Sequence, residues 1–279
     1  MAEPVFEAAP AKVNLTLHVT GQRDDGYHLL HSLIVFPKVA DRLHACQSDT
    51  LSLEIIGPFA DQLTTGSDNL ILRAANLINP GKGAAITLEK NLPIAAGIGG
   101  GSADAAAAIR LLARLWAVPL PTPRDLLCLG ADVPTCLGSK PVIMAGIGEL
   151  LTDVKSLPNC GILLINPGVQ VSTPEVFSAL KCKENSEMTT CPASMGNAAD
   201  LVGWLAMQRN DLQECAINMA PVIGTVLQEI SGTENCLLAR MSGSGATCFG
   251  LYSTLEQAQS ACAELTKTHP NWWAVASEL

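Results

Sequence analysis

The feature that most constrains the fold of this chain is a glycine-rich stretch, residues 93–106, which reads Pro-Ile-Ala-Ala-Gly-Ile-Gly-Gly-Gly-Ser-Ala-Asp-Ala-Ala. Its glycines lose extra backbone entropy on folding and have no side chains to pack, so the stretch favours neither a regular helix nor a strand. Glycine does permit positive φ and close approach of the backbone to a ligand, and consecutive N–H groups can then converge on one anion. The stretch therefore predicts an anion-binding loop.

The residues after this loop favour a helix that the loop opens. Ser102 to Trp116 is rich in alanine and leucine, and Ala105, Ile109, Leu112 and Trp116 recur at helical spacing. Unpaired N–H groups and the positive end of the helix dipole suit a phosphate at such an N-terminus. Ser102 is expected to cap the helix or to contact a phosphate or its metal. A glycine-rich loop can also be only a flexible turn, and the helix that follows favours phosphate binding.

Two common phosphate-binding patterns do not fit this stretch. No Gly-Lys-Ser/Thr follows the glycines, as a P-loop requires, and Asp104 stands at the third glycine position of a dinucleotide-binding fingerprint. The stretch instead resembles the Pro-x-x-x-Gly-Leu-Gly-Gly-Gly-Ser-Ser signature of the GHMP kinases. That superfamily includes galactokinase, homoserine kinase, mevalonate kinase and phosphomevalonate kinase.

Composition excludes several other classes of protein. The 279 residues are 48% hydrophobic and 15% charged, which is typical of a folded globular chain. A net charge of −9 argues against nucleic acid as a partner, because such binding depends on clustered Lys and Arg. Since no apolar run could cross a bilayer and the N-terminus does not read as a signal peptide, we expect a cytoplasmic protein without a membrane partner. Its ten cysteines form no Cys-x-x-Cys pair and are expected to be reduced, small apolar residues.

Further motifs occur in a fixed order along the chain and narrow the resemblance. They are Pro10-Ala11-Lys12-Val13-Asn14-Leu15, the turn Gly21-x-Arg23-x-Asp25-Gly26-Tyr27-His28, Gly130-Ala131-Asp132-Val133-Pro134, Val171-Ser172-Thr173-Pro174 with Phe177, and Ser242-Gly243-Ser244-Gly245-Ala246. Together with the glycine loop they span nearly the whole chain, and they resemble the GHMP kinases of the non-mevalonate route to isoprenoids. The resemblance implies ATP-dependent phosphorylation of the 2-hydroxyl of 4-diphosphocytidyl-2-C-methyl-D-erythritol.

The residues alone leave the roles of the polar candidates open. Residues 13–19 alternate apolar and polar and predict one strand, with Lys12, Asn14, Thr16 and His18 on a polar face that by itself is an ordinary solvated edge. Tyr27 and His28 lie on a turn, where such a pair can be surface residues or ligand contacts. Asp132 follows a predicted helix, and a carboxylate in such a tight turn can serve as a cap.

The resemblance implies a catalytic pair. In the family, the aspartate that matches Asp132 lies near the acceptor hydroxyl, and the lysine that matches Lys12 lies beside it. Asp132 is then expected to accept the hydroxyl proton, while Lys12 keeps that carboxylate ionised and stabilises the charge that forms. Relatives usually continue with aromatic residues where this chain has Thr135 and Cys136, so the packing beneath Asp132 is expected to differ.

The resemblance also implies the ligand contacts. Asn14 is expected to hydrogen-bond the polyol of the substrate, and the cytosine to lie between Tyr27 and Phe177 while His28 reads its polar edge. Thr173 is expected to contact the substrate as well. ATP and Mg²⁺ are expected at the glycine loop, with no protein ligand of the metal assigned. The expected ATP-binding residues are Lys90, Pro93, Ile94, Ala95, Ala96, Gly97, Ile98, Gly99, Gly100, Gly101, Ser102 and Ala103.

The expected architecture is the two-domain α+β fold of the GHMP kinases. Residues 1–153 would form an N-terminal, ATP-binding, ribosomal-protein-S5-domain-2-like α/β domain, and residues 154–279 a C-terminal ferredoxin-like α+β domain, with the active site in the cleft between them. The alternation of short strands and helices agrees with this class. Residues 181–197 are polar without clear periodicity and predict a surface loop.

Two other functions stay open at this point. Another GHMP kinase, of the homoserine or mevalonate type, would share the glycine loop but would not need Tyr27, His28 or Phe177. A non-catalytic nucleotide-binding protein would keep the loop without needing Lys12 and Asp132. The presence of both residues argues against that second alternative.

Overall fold

A computed structural model describes residues 4–279. The chain divides into two compact units that are each discontinuous in sequence. Unit 1 consists of residues 4–11, Val39–Ile94 and Gly99–Ser139, and unit 2 of Lys12–Lys38, Ala95–Ile98 and Lys140–Leu279. The prediction about a signal peptide falls in part on residues 1–3, which lie outside the described residues.

Strands and helices alternate along the chain. The strands are β1 (Val5–Pro10), β2 (Val13–Asn14), β3 (His18–Gln22), β4 (His28–Val35), β5 (Ala40–Gln47), β6 (Leu51–Ile56), β7 (Ala84–Glu89), β8 (Val142–Gly146), β9 (Leu150–Asp153), β10 (Gly161–Asn166), β11 (Leu238–Met241), β12 (Cys248–Tyr252) and β13 (Trp273–Glu278). The helices are α1 (Leu70–Ile78), α2 (Gly100–Trp116), α3 (Pro123–Leu126), α4 (Val133–Gly138), α5 (Thr173–Ser178), α6 (Ala198–Leu205), α7 (Gln213–Met219), α8 (Val222–Gly232) and α9 (Leu255–Thr268).

Unit 1 is built on a four-stranded sheet in the order β1-β5-β7-β6. β5 pairs antiparallel with both β1 and β7, whereas β6 pairs parallel with β7. Parallel neighbours need a crossover connection, and α1 provides it. The sequence Asp68-Asn69-Leu70 predicts a helix capped by the aspartate or the asparagine, and α1 begins after Asn69, whose side chain accepts the N–H of Ile71.

α2 is the central helix of unit 1. Its alanines from Ala103 to Ala108 are buried, together with Ile109, Leu111 and Leu112. Small side chains allow close approach, and α2 packs on α1, α4, β1 and β5. The helix ends at Trp116, where Ala117 adopts a positive φ of 54°. Packing on several sides therefore fixes the helix that the glycine loop opens.

Unit 2 contains two antiparallel sheets. One has the order β2-β4-β8-β9, with β3 also paired to β4, and the other has the order β11-β12-β10-β13. The second sheet follows a β-α-β-β-α-β order along the chain: β10, then the helices α5 to α8, then β11 and β12, then α9 and finally β13. Strands that are neighbours in this sheet pair antiparallel. This order is that of a ferredoxin-like fold, so the expected architecture of the C-terminal region is confirmed.

The compact units interleave along the sequence, whereas the expected domains divide it once, after Asp153. The reason is the sheet of unit 2, in which β4 pairs with β8 over Leu30–Ile34 and so joins an N-terminal hairpin to residues beyond Ser139. The domain boundary between residues 153 and 154 stays a prediction.

The expectation of one long strand with a solvated polar face, from Val13 to Val19, is wrong. β2 ends at Asn14 and β3 begins at His18, and the side chains of Asn14, Thr16 and His18 are all buried. Hydrogen bonds satisfy most of this polar face: Asn14 Nδ2 donates to Ser32 Oγ (2.7 Å), and Thr16 Oγ1 accepts the N–H of Leu33 (2.8 Å). The alternation marks two faces correctly, but both of them are packed.

Residues 181–197 form neither helix nor strand, as predicted, yet residues 183–188 are held against β3. The contacts run antiparallel: Lys183 with Gln22, Asn185 with Val19, Ser186 with His18, and Met188 with Thr16. Met188 is buried. This segment, called the 183–188 strap below, therefore covers an edge that β3 would otherwise expose.

Protonation of His18 is expected to loosen the strap. Nε2 of His18 accepts the N–H of Arg209 (3.2 Å), and Nδ1 lies 3.1 Å from the carbonyl oxygen of Ser186, an arrangement that suits the neutral ring. Burial lowers the pKa of His18. Because the unfolded chain has the ordinary pKa of about 6.5, neutral His18 stabilises the fold above that pH, and the stabilisation is lost as the pH falls through the lower, folded value.

The measurement is the free energy of unfolding in urea from pH 7.5 down to pH 5. It should fall more steeply in the wild type than in His18→Gln, which keeps a polar side chain but does not titrate. Parallel curves for the two proteins would show that His18 makes no such contribution.

Candidate active site

The glycine loop joins β7 to α2 and has the backbone geometry that its sequence predicts. Gly97 and Gly99 have φ of 73° and 61°, in the left-handed region that favours glycine. α2 begins directly after Gly99, no side chain caps it within the described structure, and its first turn contains no acidic residue. The first N–H groups of this 17-residue helix and its positive dipole end therefore suit an anion.

Gly100, Gly101 and Ser102 lie inside the helix, in its first turn. Of the two roles expected for Ser102, capping of α2 is wrong, because the cap position belongs to Gly99, and contact with a phosphate or its metal stays a prediction. A Cβ on Gly100 would lie 3.2 Å from Nζ of Lys90, whereas one on Gly101 would lie no closer than 3.5 Å to Cδ1 of Leu70. The absence of a side chain at Gly100 thus leaves room for the buried Lys90. The absence of one at Gly101 leaves the exposed backbone there accessible to a ligand.

Within unit 2, the middle of the loop is held by the second glycine turn, residues 242–246. Ser242 Oγ donates to the carbonyl oxygen of Gly97 (3.0 Å) and accepts the N–H of Asn14 (3.1 Å). A Cβ on Gly97 would come within 2.5 Å of the carbonyl oxygen of Ser242. Glycine at 97 is therefore required by packing as well as by φ, and the turn supports both the loop and the strand that carries Asn14.

Lys12 directly precedes β2 and Asn14 is the last residue of that strand, and both belong to unit 2. Both are buried, and the backbone N–H of Lys12 donates to the carbonyl oxygen of Ile98 in the glycine loop (2.9 Å). Oδ1 of Asn14 is buried and has no hydrogen-bond partner in the described part of the chain. Since a buried acceptor without a partner is costly, Asn14 is suited to receive a hydrogen bond from a ligand.

The predicted cytosine-binding residues also belong to unit 2, and the structure brings two of them into contact. The rings of His28 and Phe177 are stacked, with centroids 4.8 Å apart and an interplanar angle of 26°. Tyr27, one residue before His28, is 58% exposed. Thr173 Oγ1 lies 2.7 Å from Ser244 Oγ, in hydrogen-bond contact with the second glycine turn.

His28 has a ring nitrogen to spare for a ligand. Its Nε2 is buried and has no hydrogen-bond partner among residues 4–279. Burial, followed by the charge of Lys183, lowers the pKa of His28, so the ring is neutral at pH 7. A neutral imidazole offers one donor and one acceptor, which suits the polar edge of a nucleobase.

Asp132 lies in unit 1, at the N-cap position of α4, but its side chain makes no capping hydrogen bond to that helix. The carboxylate therefore does not cap α4, and its proposed catalytic role stays a prediction. Thr135 and Cys136, which follow Asp132 in α4, are both buried. Arg110 Nη1 donates to the carbonyl oxygens of Cys136 (2.9 Å) and Leu137 (3.0 Å), so α4 is anchored to α2 through a guanidinium group.

Lys90 is a buried residue of unit 1. Its Nζ donates to Oδ2 of Asp41 (2.5 Å) and to Oδ2 of Asp104 (2.7 Å), and all three side chains are almost fully buried. Sequence reasoning missed Asp41 and treated Asp104 only as a break in a glycine fingerprint. A signal did exist, because Asp104 falls on the buried face of a helix that is otherwise alanine and leucine.

Metal ligands are sparse in this structure. Within residues 4–279, no group of three or more His, Cys, Asp or Glu side chains could hold a metal ion. None of the ten cysteines, which all lie within residues 4–279, forms a disulfide. Among residues 4–279, no helix combines the length and the apolar character that a membrane span needs.

Comparison with protein families and known proteins identifies the class. The family model described as GHMP kinases N terminal domain matches residues 69–143, and that described as GHMP kinases C terminal matches residues 193–271. A crystal structure of 4-(cytidine 5'-diphospho)-2C-methyl-D-erythritol kinase is 31% identical, with a TM-score of 0.78 and 98% of each chain covered. Homoserine kinase from Cytophaga hutchinsonii shares the fold, with a TM-score of 0.65 and 18% sequence identity. That comparison covers 100% of this chain and 95% of the homoserine kinase chain.

The fold and the glycine loop define a small-molecule kinase of the GHMP superfamily, whose phosphate donor is ATP. Two relatives, from Cereibacter sphaeroides and Dinoroseobacter shibae, are both 4-diphosphocytidyl-2-C-methyl-D-erythritol kinases. The Cereibacter relative is 53% identical over 97% of this chain and 98% of its own length. The Dinoroseobacter relative is also 53% identical, over 100% of this chain and 96% of its own length. The chain belongs to the 4-diphosphocytidyl-2-C-methyl-D-erythritol kinase family of the GHMP superfamily.

Proposed function

We propose that this protein transfers the γ-phosphoryl group of ATP to the 2-hydroxyl of 4-diphosphocytidyl-2-C-methyl-D-erythritol, in the non-mevalonate route to isoprenoid precursors. The observation that carries the proposal is 53% identity, over nearly the full length, to kinases named for this substrate. Kinases of the homoserine and mevalonate types share the fold at only 18% and 13% identity. A cytoplasmic location, where ATP is available, is part of the proposal.

The donor side of the reaction is assigned to the glycine loop, Pro93 to Ala103. The left-handed φ of Gly97 and Gly99 and the helix start without a side-chain cap support its role in holding the ATP phosphates. Mg²⁺ would be held mainly by those phosphates, and when bound it neutralises charge that develops on the transferred group. The protein's own part is to position the triphosphate through backbone N–H groups.

The acceptor side is assigned to Asp132 and Lys12. Phosphoryl transfer needs a group that receives the proton of the attacking hydroxyl and positive charge that stabilises the transferring phosphoryl. Asp132, at the N-cap position of α4, is proposed to receive the proton. Lys12 is proposed to supply the positive charge. Both assignments come from the motifs that match the family.

Recognition of the acceptor is assigned to Asn14, Thr173 and the aromatic group of Tyr27, His28 and Phe177. Asn14 Oδ1 and His28 Nε2 are buried polar atoms that lack a partner among the residues described, so each can bond the substrate without first breaking a protein hydrogen bond. Asn14 is proposed to bind the polyol. Stacking on Tyr27 and Phe177 would accept any base, so His28 is proposed to discriminate cytosine.

His28→Ala is expected to raise the KM for the cytidine substrate by roughly ten-fold or more, and to leave the KM for ATP nearly unchanged. The variant removes a hydrogen bond to a buried base, an interaction with a free energy of about 1–3 kcal/mol, and it does not touch the donor loop. Steady-state kinetics with each substrate varied in turn measures the two values.

His44→Ala is the matched control. His44 also packs against a phenylalanine, Phe6, with ring centroids 5.7 Å apart, but it lies outside the proposed site. Its KM values should stay at the wild-type level. Equal increases in both KM values for His28→Ala would assign His28 a structural role.

An acceptor panel tests the proposed function as a whole. Purified protein, ATP and Mg²⁺ are incubated separately with 4-diphosphocytidyl-2-C-methyl-D-erythritol, homoserine and mevalonate, and ADP release is followed with a coupled assay. We expect rapid ADP release in the incubation with the cytidine substrate and none in the incubations with homoserine or mevalonate. Release with homoserine or mevalonate and none with the cytidine substrate would overturn the proposal in favour of another GHMP kinase.

A further inference from the structure

We infer that Asp41, Lys90 and Asp104 form a buried clamp that joins the two ends of the phosphate loop and sets the affinity for ATP without contacting the nucleotide. The inference rests on the proposed function only in that ATP is the donor held by this loop. Lys90 is then a positioning residue, and Asp41 and Asp104 are positioning residues that the family motifs do not include.

The first end of the loop is fixed by Asp41 of β5. Its Oδ1 accepts the backbone N–H groups of Asn91 (2.5 Å) and Leu92 (2.8 Å), the two residues directly before Pro93. Its Oδ2 accepts a hydrogen bond from Nζ of Lys90 (2.5 Å). One carboxylate therefore holds both the backbone that enters the loop and the ammonium group of the clamp.

The second end of the loop is the start of α2, and Lys90 reaches it through Asp104. Nζ of Lys90 donates to Oδ2 of Asp104 (2.7 Å), within the first five residues of the helix. The same Nζ lies directly beneath Gly100, where an added Cβ would be 3.2 Å away. The lysine backbone is fixed as well, since its N–H donates to the carbonyl oxygen of Ile56 (2.8 Å). Strand end, ammonium group and helix start thus form one connected unit.

The energetics of the clamp argue for a role beyond stability. Buried ion pairs are often no more stabilising than apolar side chains of the same volume, so their presence calls for another explanation. Here two carboxylates share one ammonium group, and Oδ1 of Asp104 is buried without a partner in the described structure. Burial raises the pKa of Asp104 even though an ammonium group lies beside it. An arrangement that only held the fold together would not need this second carboxylate.

The position of the clamp gives it a specific effect on nucleotide binding. The N–H groups proposed to hold the phosphates belong to the loop and to the first turn of α2, and their convergence depends on where α2 starts relative to the end of β7. Loss of the hydrogen bond between Lys90 and Asp104 lets that spacing vary. ATP must then order the loop when it binds, and this ordering reduces the net free energy of ATP binding. The proposed acceptor residues Asn14, His28 and Phe177 belong to unit 2 and the clamp residues to unit 1, so acceptor binding is not expected to share this dependence.

Asp104→Asn is the test variant, because it keeps the shape of the side chain and replaces one carboxyl oxygen of the clamp with an amide group that cannot accept a hydrogen bond from Lys90. We expect the Kd for a non-hydrolysable ATP analogue, measured by calorimetry, and the KM for ATP to rise roughly ten-fold, a typical coupling within one hydrogen-bonded network. We expect kcat at saturating ATP and the KM for the cytidine substrate to stay within about two-fold of wild type. Asp41→Asn should change the same two quantities in the same direction.

Glu7→Gln is the matched control. Glu7 binds Arg110 Nε (2.8 Å) and Arg114 Nη2 (2.5 Å) of the same helix, but on its later turns, away from the loop. This variant should lower the melting temperature and leave the Kd for the analogue unchanged. A clamp that serves stability alone would make all three variants behave like Glu7→Gln.

The outcomes separate the clamp from the proposed function. Wild-type analogue affinity in folded Asp104→Asn and Asp41→Asn, or failure of both variants to fold, would overturn the inference and assign the triad to stability. Binding of the ATP analogue is measured without an acceptor, so it tests the clamp independently of the acceptor. Failure of the wild type to phosphorylate the cytidine substrate would overturn the proposed function and leave the clamp unaffected.

Discussion

Asp132→Asn is expected to lower kcat by roughly 10²- to 10⁴-fold, the usual contribution of general acid–base catalysis, with little change in either KM. Asparagine keeps the size and most of the hydrogen-bonding capacity of the side chain but cannot accept the proton of the attacking hydroxyl. Because the carboxylate makes no capping bond to α4, the loss of charge should not remove the start of that helix.

The measurement is a steady-state assay, with circular dichroism and thermal melting on the same preparations. Asp125→Asn is a suitable control, since Asp125 is a carboxylate of unit 1 that does cap a helix, accepting the N–H of Thr122 (2.9 Å). That control should lose stability and keep its kcat. Near-normal turnover of Asp132→Asn, or loss of its fold, would contradict the catalytic assignment.

Lys12→Met is expected to lower kcat by roughly 10²- to 10³-fold, the scale observed when one group that stabilises transition-state charge is removed. Lys12 is buried, so methionine, which fills a similar volume, limits the packing defect that alanine would create. The backbone N–H of Lys12, which donates to Ile98 in the loop, is retained in this variant.

The double variant Lys12→Met/Asp132→Asn tests whether both residues serve the same step. Residues that act as a unit are not additive, so its kcat should lie close to that of the more damaged single variant. A loss equal to the product of the two single losses would mean that the residues act independently, and the joint role proposed for them would be wrong.

The glycine loop and the helix after it were predictable because they depend on local properties. Positive φ at Gly97 and Gly99 and helix formation in an alanine-rich run follow from the residues themselves. The same holds for Asn69 as the cap of α1. The positions of individual glycines required the structure, because Gly100 and Gly101 turn out to be helical while Gly97 also faces the second glycine turn.

The burial of polar residues was not predictable from their pattern. Asn14, Thr16 and His18 alternate with apolar residues and read as a solvated face, yet partners far away in sequence, such as Ser32 and Met188, cover them. A periodic pattern records chemical type, and long-range packing decides whether a polar face meets water or protein.

The clamp was missed for a related reason. Asp41 occupies a buried position of β5 at which strands usually have an apolar residue. The charged side chain therefore interrupts the apolar–polar alternation by which the sequence would reveal this strand and its buried face. Its partner Lys90 is 49 residues away. Charges that neutralise each other across such a separation look like ordinary surface residues when each is considered alone, and only the fold brings them together.

The central claim is the transfer of one phosphoryl group to one hydroxyl of the cytidine substrate, and ³¹P NMR of the reaction mixture tests it most directly. With ATP, Mg²⁺ and 4-diphosphocytidyl-2-C-methyl-D-erythritol, the account predicts a new phosphate monoester signal, assigned to the 2-hydroxyl by its carbon–phosphorus couplings, that grows as the γ-phosphate signal of ATP declines. The Asp132→Asn protein should leave the spectrum nearly unchanged over the same time. Loss of the ATP signal with only inorganic phosphate as product, or a monoester on a different hydroxyl, would contradict the account.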